Sequence, residues 1–213
     1  MKFSELSSLP VVNLYAGDVP DMPEYQTRQL VGLSLVQEDK WHIRHDVTKP
    51  LPIPGESVDI YQSEDVFEHI EFDRLPATIS EIYRVLKKGG LFRLSLPDYR
   101  CDVLVERSLK DADGNIIFDP GGGGAFKRRP PIFGKKKVVK GGHVWFPVYE
   151  NIVELFANTR FSSVEFLHYY DETGAPHTNP IDYSKGYVKR TPDNDERVAH
   201  PFRPMSIVVD CIK

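Results

Sequence analysis

The chain has 213 residues, 40% of them hydrophobic and 11% aromatic, which is enough for a packed core and too much for wholesale disorder. A net charge of −4 excludes a uniformly basic nucleic-acid binder, and two cysteines, Cys101 and Cys211, are too few for a disulfide framework or a zinc cage. No apolar run approaches the length of a membrane span and Met1–Leu6 opens no apolar leader, so a cytoplasmic protein with reduced thiols is expected.

Val11–Tyr15 reads as a buried strand closed by the turn Ala16-Gly17-Asp18. Leu30–Leu35 reads as a second strand, Trp41–His45 as a third ended by Asp46, and Val58–Gln62 as a fourth. Between the last two, Pro50, Pro52 and Pro54 forbid a helix. The clearest helix runs from Arg74 to Leu86, with Leu75, Ile79, Ile82 and Leu86 on one face. Asp73 is its expected N-cap, Pro76 lies in its first turn, and Gly89-Gly90 is expected to stop it beside Lys87 and Lys88. Leu91–Leu96 follows as a strand ended by Pro97. Strand, helix and strand at this spacing predict a right-handed parallel crossover, and apolar strands alternating with helices predict an α/β sheet.

Residues 98–148 differ. After a short helix over Asp102–Leu109 and a turn over Asp111–Asn115 come four glycines, Gly121 to Gly124. Residues 127–140 then hold seven basic side chains and no acid, which leaves −11 for the rest of the chain. We expect one domain over 1–213, its core at 11–100 and 143–213, with a basic loop insertion at about 110–142. Tyr149–Asn158 reads as a helix with Ile152, Leu155 and Phe156 on one face. Val164–Tyr170 and Ser206–Ile212 read as the last two strands, with residues 173–204 as an ordered loop between them.

Three phrases stand out in order. The first is Ile43–Asp59, which contains Arg44-His45-Asp46-Val47-Thr48-Lys49-Pro50-Leu51-Pro52. The second is Glu64-Asp65-Val66-Phe67-Glu68-His69-Ile70. The third is Glu81-Ile82-Tyr83-Arg84-Val85-Leu86-Lys87-Lys88-Gly89-Gly90, leading into a strand that ends at Pro97-Asp98. In this order and spacing the chain resembles the class I S-adenosylmethionine-dependent methyltransferases of the type 11 group. Within that group it is most similar to small methyltransferases of surface-polysaccharide gene context. The resemblance covers residues 11–100, and His143–Phe161 looks like the family's later helix. It implies a Rossmann-like α/β fold: a mostly parallel seven-stranded sheet, six strands parallel and the seventh antiparallel, with S-adenosylmethionine at the carboxyl ends of the first four strands. The rule for ligand crevices in open α/β sheets gives the same place.

Under this resemblance the cofactor-binding candidates are Asn13, Tyr15, Ala16, Gly17 and Asp18 around the first strand's end and Leu33 and Ser34 at the second. Asp46 and Val47 follow the third strand, and Ser63, Glu64 and Asp65 close the fourth. Tyr15 stands where the family's first glycine stands, leaving Gly17 as the glycine that lets backbone approach the cofactor. Ser34 replaces the family's acid; a carboxylate takes two ribose hydroxyls where serine accepts one, a loss of roughly 1.5–3 kcal/mol. Asp46 faces the adenine in the family; its structural alternative is to cap the turn before Thr48.

The catalytic candidates are His69, His143 and Asp98. Methyl transfer is an in-line displacement that needs a positioned acceptor and a base for its proton, and histidine titrates in the right range. Structural roles compete: His69 as a helix cap, His143 in a loop whose Trp145 and Phe146 dock on the core. Asp98, with Tyr99, sits just past the fifth strand. No His, Cys or Asp spacing supports a metal, and Gly121–Gly124 lacks the Lys-Ser or Lys-Thr of a phosphate loop.

The resemblance thus implies methyl transfer to a small, sugar-derived acceptor, anionic or phosphorylated where the basic segment takes part. Two further readings stay open. One is a methyltransferase-like binding or assembly module without catalysis, motivated by Tyr15 and Ser34. The other is an RNA-modifying or RNA-binding protein that uses residues 127–140.

Overall fold

Strands apolar on both faces must be covered on both, and that requirement sets the architecture. The computed structural model describes residues 1–26, 29–122, 142–189 and 206–213. In chain order the strands are β1 Asn13–Ala16, β2 Leu30–Ser34, β3 His42–Arg44, β4 Val58–Glu64 and β5 Leu86–Pro97. A short pair follows, β6 Leu109–Lys110 and β7 Ile116–Phe118, and then β8 Ser163–Tyr170, β9 Pro176–Thr178 and β10 Ser206–Ile212. The helices are α1 Pro23–Gln26, α2 Leu75–Val85, α3 Asp102–Arg107 and α4 Tyr149–Ala157.

Among the described residues the main sheet has eight strands in the order β3-β2-β1-β4-β5-β10-β8-β9. The first five are mutually parallel, and β10 pairs antiparallel with both β5 and β8. Strands β3, β2, β1, β4, β5 and β8 therefore run one way, with β10 reversed between β5 and β8. This is the expected seven-strand arrangement, to which β9 adds an antiparallel edge. The chain order turns back between β1 and β4, which puts the switch-point crevice at Ala16 and Glu64.

One face of the sheet carries the main core, where Leu14, Leu33, Tyr61 and Phe92 meet α2 and α4. An 11-residue helix such as α2 is marginal alone. Its buried stripe of Leu75, Ile79, Ile82 and Val85 holds it, each side chain contributing about 1.5–3 kcal/mol. Among the described residues the other face carries smaller clusters. Tyr15, Tyr25, Leu30 and Tyr187 form a separate cluster there under residues 181–189. Gly32 in β2 is needed for close approach: a Cβ would stand 2.4 Å from the His42 ring and 2.9 Å from the Gly17 carbonyl oxygen.

Several local expectations are corrected. Gly89-Gly90 does not stop α2. The helix ends at Val85, Leu86 is already extended, and residues 87–90 bulge within β5, where pairing jumps from Val58–Leu86 to Ile60–Leu91. Lys87 does not cap a helix dipole; its Nζ lies 2.8 Å from both Asp59 carboxylate oxygens. Asp73 is not the N-cap, because it sits in a preceding 3-10 turn, Phe72–Arg74. The expected loop at 110–142 begins with the β6–β7 hairpin, turned by Asp111, whose carboxylate accepts from Asp113 N, Asn115 N and Asn115 Nδ2. The basic stretch 127–140 and Gly123–Gly124 lie outside the described residues. Among the described residues no helix is long and apolar enough to cross a membrane, and both cysteines are buried thiols.

Candidate functional site

At the switch point β1 is followed by Gly17, with φ 91°, its N–H donating to Leu33 O at 2.9 Å. That conformation suits glycine, and a Cβ would come within 3.4 Å of Val66 Cγ2. The constraint at Gly17 is its positive φ, which side chains of L-residues rarely adopt. Ser63, one residue before the end of β4, is fully buried, and its Oγ has no hydrogen-bond partner among the described residues. Asp46 follows β3; its Oδ1 accepts from Thr48 N at 2.9 Å and Thr48 Oγ1 at 2.7 Å. Partial burial works against its charge, but those bonds outweigh burial and hold its pKa below the usual carboxylate range.

The other cofactor candidates are placed differently. Ser34 Oγ accepts from both Val36 N and Gln37 N, at 3.0 and 2.7 Å. Both lone pairs are used, so this serine has none left to accept a ribose hydroxyl and can only donate. Tyr15 is buried against Tyr25, their rings 5.9 Å apart edge to face, and Tyr25 meets Tyr187 in the same way at 5.2 Å. Glu64 receives this cluster: Oε1 accepts from Tyr25 at 2.6 Å, and Oε2 from Lys189 N at 2.9 Å. Burial first, then the Asp65 charge, push the Glu64 pKa up. Asn13 lies at the amino end of β1, away from the crevice, while Ala16 and Leu33 are buried in the main core. Asp18 is exposed, Val47 packs on the core, and Asp65 takes a left-handed turn with φ 56°. Gly17, Ser63 and Asp46 thus lie at the carboxyl ends of β1, β4 and β3, and the Ser34 hydroxyl has no lone pair left to accept.

Just beyond the end of β4, a 3-10 turn over Phe67–His69 carries a second constellation. The segment after residue 142 is stapled to this turn: Val144 N donates to Glu68 O at 2.8 Å, and Trp145 Nε1 to Phe67 O at 3.0 Å. These bonds bring His143 to His69, ring centroids 4.9 Å apart. Glu68 Oε1 lies 3.9 Å from His69 Nε2 and 3.7 Å from His143 Nε2, and the Glu68 side chain is wholly buried. Each histidine is oriented from its far side. His69 Nδ1 meets Gly142 O, a pure acceptor, at 3.0 Å, so Nδ1 carries the proton. Tyr99 donates to Asp119 Oδ2 at 2.7 Å, which leaves the Tyr99 oxygen to accept from His143 Nδ1–H. Arg107 holds the same Asp119 oxygen at 2.6 Å. Burial opposes the Asp119 charge, but bonds from Arg107, Tyr99 and Gly121 N prevail and keep its pKa low. Both imidazoles thus turn Nε2 toward Glu68. Sequence spacing supports no metal set here, yet the fold brings ligand atoms of Glu68, His69 and His143 within 4.8 Å of one another.

Asp98 does not join this group. Its two oxygens accept from Arg100 N at 3.0 Å and Tyr170 N at 2.8 Å, tying the end of β5 to the end of β8. Beside Tyr99 a cavity of about 690 Å³ opens between Phe72, Trp145, Phe146 and the β6–β7 hairpin residues Lys110 and Asn115. Sequence reasoning named His69, His143 and Tyr99 but missed Asp119 and Arg107. No periodicity links those two to the histidines; only the hairpin fold places them.

The sheet order and the crevice at Gly17 define a class I methyltransferase fold. Residues 18–94 match the family model described as a methyltransferase domain, of the type 11 group. Comparison with curated proteins finds no match. Solved structures share the fold at low identity. One, from Thermotoga maritima, is described as a SAM-dependent methyltransferase and possible histamine N-methyltransferase. It is 14% identical with TM-score 0.51, covering 100% of this chain and 89% of that one. A SAM-dependent methyltransferase from Archaeoglobus fulgidus is 13% identical with TM-score 0.52, covering 96% and 87%. The Burkholderia thailandensis 1,6-didemethyltoxoflavin-N1-methyltransferase, solved with 1,6-didemethyltoxoflavin and S-adenosylhomocysteine, is 10% identical with TM-score 0.51, covering 95% and 71%.

Proposed function

We propose that the chain binds S-adenosylmethionine at the carboxyl ends of β1 and β4 and methylates a small, sugar-derived acceptor presented beside His69 and His143. The observation that carries this reading is the closeness in the chain of two features: the switch-point crevice between β1 and β4, and the Glu68–His69–His143 constellation on the turn just after β4. When bound, the cofactor supplies an electrophilic methyl on a sulfonium sulfur. Gly17, Ser63 and Asp46 hold it in place. The constellation offers the acceptor's O–H or N–H a set of lone pairs already aimed by Gly142 O and Tyr99, which fixes the acceptor without reorganisation at the moment of reaction. The cavity next to Tyr99 receives the rest of the acceptor, with Lys110 available to an anionic substituent.

The test is calorimetric titration with S-adenosylmethionine and S-adenosylhomocysteine after copurified ligand is stripped. Binding in the micromolar range is expected. A Gly17→Val variant with native circular dichroism should bind at least tenfold more weakly, since its side chain enters the space toward Val66. Absence of binding at millimolar cofactor would sink the reading. That outcome would favour the non-catalytic module, for which the buried Tyr15–Tyr25–Tyr187 cluster and the doubly engaged Ser34 hydroxyl speak.

A further inference from the structure

The constellation after β4 is more than two histidines near a carboxylate. A proton-accepting histidine works with one Nε2 lone pair; here two Nε2 atoms and a buried carboxylate oxygen converge. Two imidazole nitrogens and one carboxylate are a donor set for a borderline divalent ion such as zinc, manganese, cobalt or ferrous iron, not for calcium or magnesium, which take oxygen. We propose that Glu68, His69 and His143 bind one divalent transition-metal ion.

The surroundings argue the same way. Ligating histidines characteristically give their other N–H to a carbonyl, a carboxylate or a group held by one. Both do so here: His69 Nδ1 to Gly142 O, and His143 Nδ1 to Tyr99, which is fixed in turn by Asp119 and Arg107. Spacing is compatible as well. Two ligand atoms each about 2.1 Å from a tetrahedral ion lie about 3.4 Å apart. The two contacts to Glu68, 3.7 and 3.9 Å, exceed that by a few tenths of an ångström, and all three ligand atoms lie within 4.8 Å of one another, so side-chain rotation must close the set. The Glu68 side chain is fully buried and that of His143 6% exposed, so two ligands are rigid. The His69 side chain is 33% exposed.

Three protein ligands leave coordination positions open. Taken with the methyl-transfer reading, on which this role rests, an oxygen of the acceptor fills one of them. The Nε2 nitrogens would then be taken up by the ion, which would lower the pKa of the acceptor's O–H, so that its proton would leave to solvent as the methyl group is transferred. The ion site itself does not depend on that reading.

The experiment is titration of the purified, chelator-stripped protein with zinc, manganese and cobalt(II) salts, with neither cofactor nor acceptor present. Binding is read by calorimetry and, for cobalt, by its visible absorption. One ion per chain is expected. His69→Gln, on the exposed side, and His143→Gln should each weaken binding about a hundredfold and abolish the cobalt spectrum. Tyr99→Phe, which leaves all three ligands in place, should weaken it about tenfold to a hundredfold by releasing the His143 tautomer. Because His69 is partly exposed, its variant keeps the test decisive even where a core variant fails to fold. Absence of binding to the wild-type protein overturns the proposal. So does binding unchanged in His69→Gln, which would place the ion at other surface histidines. Failure here leaves cofactor binding untouched, and failure to bind S-adenosylmethionine leaves this metal titration untouched, so the two readings fail separately.

Discussion

Asp98 is fully buried, yet both its carboxylate oxygens accept backbone N–H bonds. Burial dominates those bonds and lifts its pKa to about 6. A raised carboxylate pKa means that between about pH 4 and pH 6 the folded chain holds a proton the unfolded chain has lost. Stability from this group is therefore present at low pH and is lost as pH rises through that window. The two-unit gap corresponds to about 3 kcal/mol at most. Asp98→Asn cannot titrate, so its unfolding free energy, measured against wild type in urea from pH 3.5 to 7.5, should gain on wild type as pH rises. A difference flat with pH would show that the carboxylate titrates in the folded chain as it does in the unfolded one.

The same residue shows what single positions reveal. Asp98 reads as catalytic by its place after β5, yet its partners are backbone amides of its own turn and of β8. Asp46 and Ser34 likewise engage nearby backbone N–H groups, the local competition typical of short polar side chains. Such bonds leave no trace in a sequence pattern. The histidine constellation left half of one: His69 and His143 were visible as residue types, but their convergence on Glu68 required the Val144–Glu68 and Trp145–Phe67 bonds.

At the scale of elements, apolar runs made β1, β2, β4, β8 and β10 legible within a few residues, and helical periodicity did the same for α2 and α4. What escaped was set by long-range pairing. The bulge at Lys87–Gly90 follows from register with β4 and β10, and three-residue β9 is recognisable only by its partner β8. The face opposite α2 and α4 is held by one such long-range link. Arg93 in β5 is fully buried and forms a fork with Asp210 in β10, at 2.7 Å on each arm. Its remaining nitrogen donates to the carbonyls of Asp182 and Gly186, so one guanidinium ties residues 182–186 to the sheet. Removing it strands the Asp210 charge. Arg93→Ala should cost about 3–5 kcal/mol in urea unfolding. It should also expose the Lys189 amide, now bonded to Glu64, to faster hydrogen exchange than global unfolding alone explains. Arg93→Lys keeps the charge but not the fork and should fall between. Unchanged Lys189 protection in Arg93→Ala would mean that the segment is anchored through the tyrosine cluster instead.

Among the described residues, the largest buried cluster lies between the sheet and helices α2 and α4. A ligand seated between β1 and β4 would brace Gly17, Ser63 and the turn leading to His69 at once. Binding to the folded state alone adds RT ln(1 + [L]/Kd), about 2.7 kcal/mol at a hundredfold excess over Kd. For a chain of 213 residues each kilocalorie moves the melting temperature by about 2–4 °C. S-adenosylhomocysteine at that excess should therefore raise the melting temperature by about 5–11 °C, and the shift should grow with the logarithm of ligand concentration. Gly17→Val should melt lower than wild type without ligand and show a smaller shift at the same concentration, since it loses both backbone fit and affinity. A melting temperature insensitive to millimolar S-adenosylhomocysteine would mean that Tyr15, Tyr25 and Tyr187 close the crevice for good. A wild-type shift that Gly17→Val reproduces in full would place the ligand elsewhere on the sheet.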